Sequence, residues 1–338
     1  MMKVLVTGGA GYIGSTICSA LRDNGHTSVI LDSLITGRPE FAKLQTFYKG
    51  DIADSEIIEK IFADHNDITH IIHCAALIVV PESMSNPGEY YRENVSKSLE
   101  FFEILRKLGK TNIVFSSSAS IYDVTSDFMV TELSPLKPCS PYARTKFMME
   151  SILEDFCNAY NMRGVSLRYF NPIGADPRMR TGIHVKEPSH VVGKLVDTAM
   201  KKQKEFCITG TDWPTRDGSG MRDYIHVWDL AMAHVRAMEN FDNCFEESGK
   251  NKNYRVLNLG TGEGVTVKEL VATFEKVYGR TLNKVDAAAR PGDVAGSYAN
   301  ADLARKMIKW APIYNLADGI RDAIKWGEVR ANILYWPN

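Results

Sequence analysis

The chain has 338 residues, and its 40 Lys and Arg against 41 Asp and Glu give a formal net charge of −1. That balance offers no electrostatic case for nucleic acid or an anionic membrane. A hydrophobic content of 44% with 24% charged residues is ordinary for a soluble globular chain with a sizeable core. Cys18, Cys74, Cys139, Cys157, Cys207 and Cys244 are scattered without a C-x-x-C pair. They read as small apolar residues in a reducing compartment, and neither a disulfide frame nor a metal site is expected. The chain runs directly into a strand pattern with no leader of the secretory kind and no apolar run of membrane length, so a cytoplasmic protein is expected.

The first half alternates short apolar runs (3–7, 28–32, 46–50, 70–75, 112–117, 164–169) with amphipathic segments near 11–24, 55–65, 87–108 and 142–160. Such alternation predicts right-handed βαβ units and an α/β fold, a doubly wound parallel sheet of Rossmann type. Ligands on such sheets sit beyond the carboxyl ends of the strands. After 171–172, Pro, Gly and charge become frequent up to 220, with a helical piece near 191–202. Residues 223–227 and a helix over 229–239 look sheet-associated again, and 255–260 reads as another strand. Thr266 and Glu269 form a capping box, and 303–310 and 316–326 read as terminal helices.

Gly8, Gly11 and Gly14 follow the first strand and open the first helix, with Tyr12 and Ile13 between them. Glycines there permit a tight turn and close approach of backbone to a pyrophosphate, which rests on the helix N-terminus. Asp32 ends the next strand, with Ser33 beside it. A carboxylate at that place accepts from a ribose diol and repels a 2′-phosphate, which favours NAD. Asp51 and Ile52 end the third strand and are candidates for the adenine, although an ordinary strand-end Asp fits equally well. Cys74, Ala75 and Ala76 end the fourth with small residues that leave room for a cofactor. Asn94, Ser116 and Tyr169 are further cofactor-side candidates. The expected division is an NAD-binding domain over 1–172, also taking in 223–245, and a smaller mixed α/β substrate domain over 173–222 and 246–338.

Tyr142 and Lys146 stand four residues apart, one turn along a predicted helix, and follow the serines at 116–118. A Tyr hydroxyl titrates near about 10, and a fixed ammonium nearby lowers that value. The spacing therefore predicts a proton acceptor suited to hydride removal from a secondary alcohol. Ser118 is placed to bond the same substrate oxygen.

Six runs carry a resemblance over almost the full length: 7–14, 115–122 (FSSSASIY), 140–146 (SPYARTK), 168–174 (RYFNPIG), 211–227 (TDWPTRDGSGMRDYIHV) and 290–293 (RPGD). In this order they resemble the extended short-chain dehydrogenase/reductases and, within them, the sugar-nucleotide 4-epimerases. The resemblance implies resident NAD and interconversion of UDP-glucose and UDP-galactose through a 4-keto sugar, with Tyr142 moving the 4-hydroxyl proton and Lys146 tuning it. It implies that Asn171, Arg222, Tyr224, Arg290 and Asp293 hold the nucleotide sugar, with His190 near the sugar phosphate. It also implies a homodimer paired through the helices near 87–108 and 142–160.

Ala119 and Ser120 provide no carboxylate after Ser118, so elimination chemistry lacks its acid–base pair. Ile78 stands where many such epimerases carry Lys, and Asp123 where Gly is usual. Ser297 is a small residue where some members carry Tyr, which predicts room for N-acetylated hexosamines. A uronate or pentose epimerase and a non-catalytic NAD-binding regulator are the competing readings.

Overall fold

The computed structural model describes residues 1–246, 253–290 and 292–336, so Pro291 of the 290–293 run lies outside the described residues. Seven parallel strands form the main sheet: β1 (Lys3–Thr7), β2 (Thr27–Asp32), β3 (Thr46–Lys49), β4 (Ile68–His73), β5 (Asn112–Ser116), β6 (Arg163–Tyr169) and β7 (Tyr254–Leu259). Their order is β3-β2-β1-β4-β5-β6-β7. The inner strands β1, β4 and β5 read as largely apolar runs because both faces are covered, while the edge strand β3 is half-exposed. Val4 and Val6 of β1 join one core with Ile17, Leu21 and Leu230, while Leu5 joins another with Phe101, Phe115 and Leu153. Helices α1 (Tyr12–Asp23), α2 (Ser55–Asp64), α3 (Lys97–Lys107), α4 (Pro141–Ala159) and α5 (Val227–Glu239) supply those covers. α1 packs on α5 over one face, and α3 packs on α4 over the other. The connections leave in opposite directions from β1 and β4, and a crevice opens at that switch point.

Two elements differ from expectation in kind or in placement. The segment near 87–108 is not one α-helix: Pro87–Tyr90 is α-helical, Tyr91–Ser96 is π-helical, and α3 follows. The wider turn carries Asn94 inward. Its amide donates to Leu77 O and Thr145 Oγ1, and its oxygen accepts from Leu77 N–H. Tyr254–Leu259 was expected in the smaller domain but pairs in parallel with β6 in the main sheet, where Leu257 and Leu259 enter the core that also holds Leu230.

The remaining strands are short. Val265–Thr266, Met221–Arg222, Gly296–Ala299 and Met129–Val130 form one sheet, and Phe206–Thr209 pairs with Lys284–Ala287. Val192, Leu195, Phe206, Leu270 and Phe274 form a separate apolar cluster here. The Thr266–Glu269 capping box starts the helix Val267–Tyr278. The last helix, Leu316–Ile333, outruns its expected end at 326. Among the described residues no helix is long and apolar enough to cross a membrane.

Candidate active site

A cavity of about 570 Å³ opens beyond the carboxyl ends of β1, β2, β4 and β5. Gly8, Gly11, Tyr12, Ile13 and Gly14 line one end of it. Gly8 has φ +68°, and a Cβ on it would lie 2.8 Å from Ala75 N; a Cβ on Gly14 would lie 2.2 Å from Gly8 O. Only glycine lets the loop close this tightly onto the end of β4. The N-terminus of α1 then faces the cavity, where free N–H groups and the helix dipole favour an anion.

Asp32 also lines the cavity. Its carboxylate accepts from Ala10 N–H at 2.9 Å and Leu34 N–H at 2.8 Å, and burial raises its pKa against those bonds. Ser33, Asp51, Ile52, Cys74, Ala75 and Ala76 continue the wall, and Asp51 is held by Lys97 Nζ at 2.6 Å. Tight glycines, an open helix N-terminus and a carboxylate on the second strand together form a cradle that fits a dinucleotide.

Ser140 caps α4 by accepting from Ala143 N–H at 3.1 Å, and Pro141 occupies the first turn. That start sets Tyr142 and Lys146 one turn apart on the cavity wall, with Ser118 opposite at the end of β5. Lys146 is almost fully buried, donates to Ser116 O at 2.9 Å and stands 5.0 Å from the centre of the Phe115 ring. Burial lowers its pKa to about 8, against the opposing pull of Cys74 and Glu150. The expectation that Tyr142 is driven below its ordinary value is not met in the protein alone. Burial raises its pKa, and the Ser118 hydroxyl is the group that lowers it.

Tyr169 lines the cavity beside Tyr142 and Cys74, and the other end carries Asn171, His190, Arg222, Arg290, Asp293 and Ser297. Arg222 spends three of its five donors on Met221 O, Ala295 O and Val294 O, which fixes its fork beside the strand Gly296–Ala299. Arg290 is paired with Asp293, Nε to Oδ2 at 3.1 Å. Neither ring nitrogen of His190 has a hydrogen-bond partner, although both are buried, and burial lowers its pKa to about 4. Ser297 faces the cavity, while Tyr298 turns the other way against Gly264, as strand alternation requires. Ile78 is exposed on the cavity rim, and Asp123 also lines the cavity.

Three candidates lie behind the wall instead. Asn94 is spent on Leu77 and Thr145, Tyr224 is buried, and the Ser116 hydroxyl points inward to Cys74 Sγ at 3.0 Å and His234 Nε2 at 2.8 Å. Sequence reasoning passed over His234 and Glu150. Each sits on the buried face of a helix at core spacing, and only its buried polar partners set it apart.

A family model described as the NAD dependent epimerase/dehydratase family matches residues 4–260. A UDP-glucose 4-epimerase of Bacillus subtilis (strain 168) is 39% identical over 341 residues, covering 98% of this chain and 98% of that protein. The crystal structure of a UDP-glucose 4-epimerase from Stenotrophomonas maltophila, with bound NAD and formylated UDP-arabinopyranose, superposes with a TM-score of 0.91. It is 35% identical and covers 98% of this chain and 99% of that one. The UDP-Glc/GlcNAc 4-epimerase of Campylobacter jejuni superposes with a TM-score of 0.80 at 31% identity, over 97% and 99% of the two chains.

Proposed function

The chain belongs to the NAD-dependent epimerase/dehydratase family, and on that premise we propose that it is an NAD-dependent UDP-hexose 4-epimerase interconverting UDP-glucose and UDP-galactose. One observation carries the reading: Ser118, Tyr142 and Lys146 open onto the same cavity as the glycine cradle and Asp32 at one end and Arg222, Arg290 and Ser297 at the other.

When bound, NAD supplies the reversible hydride acceptor that lets C4 of the sugar pass through a ketone. Tyr142 accepts the 4-hydroxyl proton and returns it after the keto sugar has turned over. Ser118 orients that oxygen through its hydroxyl. Because burial opposes ionisation of Tyr142, the Ser118 hydroxyl is the group of this chain that offsets it, and Lys146 stands one turn along the same helix on the cavity wall. Arg222 keeps two free donors for a diphosphate, and the unpartnered His190 imidazole is a further donor on that wall. Ala119 and Ser120 bring no carboxylate beside Ser118, and Ser120 is itself bonded to the Ser118 hydroxyl at 2.9 Å. That supports epimerisation over elimination.

Ser297 leaves volume on the cavity wall, so UDP-N-acetylhexosamines are included among the substrates. The cofactor unit takes in residues 1–172, α5 and β7. Exposed Leu99 on α3 and Phe147 and Met148 on α4 are the surface through which two copies pair. The six free cysteines suit a reducing cytoplasm.

The test is incubation with UDP-galactose without added cofactor, following UDP-glucose and reduced-nicotinamide absorbance together. UDP-glucose with no build-up of NADH supports the assignment. No conversion even after addition of NAD⁺ refutes it.

A further inference from the structure

Lys146 is held by a backbone oxygen whose own residue is pinned from behind. The Ser116 carbonyl accepts from Lys146 Nζ at 2.9 Å, and the Ser116 hydroxyl reaches His234 Nε2 at 2.8 Å. His234 is fully buried on α5, on the opposite side of β5 from α4. Its other nitrogen, Nδ1, lies 2.9 Å from Leu230 O. A carbonyl oxygen can only accept, so Nδ1 carries the hydrogen. Burial holds the ring neutral, with its pKa lowered to about 4. Nε2 is therefore an acceptor, and the Ser116 hydroxyl must donate to it.

The rest of the direction follows. With its proton given to His234, Ser116 Oγ can only accept from its other neighbours, the Cys74 thiol at 3.0 Å, which burial keeps protonated with a pKa of about 11, and the Tyr169 hydroxyl. The donors run one way, from Cys74 to Ser116 to His234 to Leu230 O. The chain of bonds crosses from the end of β4 through the end of β5 to α5, and Lys146 hangs from its middle residue.

We propose, building on the epimerase reading, that His234 is a positioning residue for the reaction: as the Nδ1–H tautomer it fixes Ser116, and through the Ser116 carbonyl it fixes the Lys146 ammonium beside Tyr142. His234 touches neither the cavity nor the reacting atoms. Without an acceptor at Nε2, the Ser116 hydroxyl is left with a buried, unused proton. The strand end then shifts, and the ammonium shifts with it. Misplacement on the scale of an ångström costs about 100-fold in rate.

The test compares two amides of opposite reach. His234→Gln can return an acceptor near the Nε2 position, whereas His234→Asn keeps only the Nδ1 side. His234→Asn and Ser116→Ala are each expected to lower kcat on UDP-galactose about 10- to 100-fold with KM within about two-fold, His234→Gln to recover most of the loss, and the Ser116→Ala/His234→Asn double variant to lose no more than the singles. Parental kcat in His234→Asn or in Ser116→Ala, or no recovery by Gln, overturns the proposal.

Nitrogen-15 spectra of the labelled histidines give a reading independent of turnover. Nδ1–H with an unprotonated Nε2 at pH 7 supports the proposal, and the reverse tautomer at His234 overturns it. An unaltered chain that fails to epimerise UDP-galactose refutes the functional assignment instead, so the two failures are distinguishable.

Discussion

Glu150 and Arg168 meet in a buried bidentate pair that ties α4, the helix of Tyr142 and Lys146, to β6. Nε of Arg168 lies 3.0 and 3.1 Å from the two carboxylate oxygens, and Nη2 lies 2.6 Å from Oε2. The network continues: Arg168 Nη1 donates to the Tyr122 hydroxyl at 2.9 Å, which donates to Asn258 at 2.7 Å, and Ser117 donates to Glu150. Removing one partner strands a buried charge, so Arg168→Met is expected to destabilise by roughly 3–5 kcal/mol in denaturant unfolding. Glu150→Met/Arg168→Leu should regain much of that loss, and a double variant no better than Arg168→Met would show that the charges themselves are not the reason.

Tyr142→Phe keeps the ring and removes the proposed proton acceptor. Turnover of UDP-galactose is expected to fall by roughly 10²–10⁴-fold, with NAD still bound and unfolding unchanged. Near-parental kcat would assign the proton to another group.

Lys146 couples activity to stability. Its pKa is lowered to about 8 from an ordinary 10.5 by burial. Below pH 8 both folded and unfolded chains hold the proton, and the penalty of burying the charge is full. Between about 8 and 10.5 only the unfolded chain holds it, so stability rises with pH across that window. Lys146→Met is therefore expected to abolish turnover yet gain up to roughly 3 kcal/mol at pH 7, less the lost bond to Ser116 O. The gain should shrink as unfolding is measured from pH 8 toward pH 10.

Gly14→Ala places a methyl 2.2 Å from Gly8 O, which the loop cannot accommodate without leaving β4. The variant is expected to purify with little or no nucleotide, read as the absorbance of NAD released on heating. Parental NAD content would mean the loop opens without consequence.

Ser297→Tyr fills the wall where Ser297 faces the cavity. Its kcat/KM on UDP-N-acetylgalactosamine is expected to fall at least about ten-fold further than on UDP-galactose, the scale of a lost pocket contact. Equal losses on both sugars would remove Ser297 from substrate selection.

The inner strands of the main sheet were legible because both faces are buried, and runs such as Val4–Val6 and Ile71–Ile72 have no other use. The placement of Gly8, Asp32 and Tyr142 on one cavity was legible because it follows from spacing along the chain. What was hidden depends on contacts made at a distance. The π-helical turn has no compositional mark, since Tyr91–Ser96 reads as ordinary helix. β7 is specified by the edge of β6, far away in sequence. Ser116 and Asn94 were placed on the cavity because they sit beside it in the chain, yet their polar atoms are spent on partners 118 and 51 residues distant. The rise in the pKa of Tyr142 depends on burial, which no spacing reports.

The turn at Tyr91–Ser96 makes this part of the chain a length-locked spacer. A π turn contains one residue more than an α turn, so deleting any one residue there would let the ladder relax to ordinary pairing and swing the preceding segment by about 100°. Tyr90, whose hydroxyl now accepts from Val79 N–H at 2.9 Å and donates to Val79 O at 2.8 Å, would leave the loop it holds. A change in its count of residues would also carry Asn94 away from Leu77 and Thr145, and so disconnect the 77–80 rim from the helix of Tyr142 and Lys146.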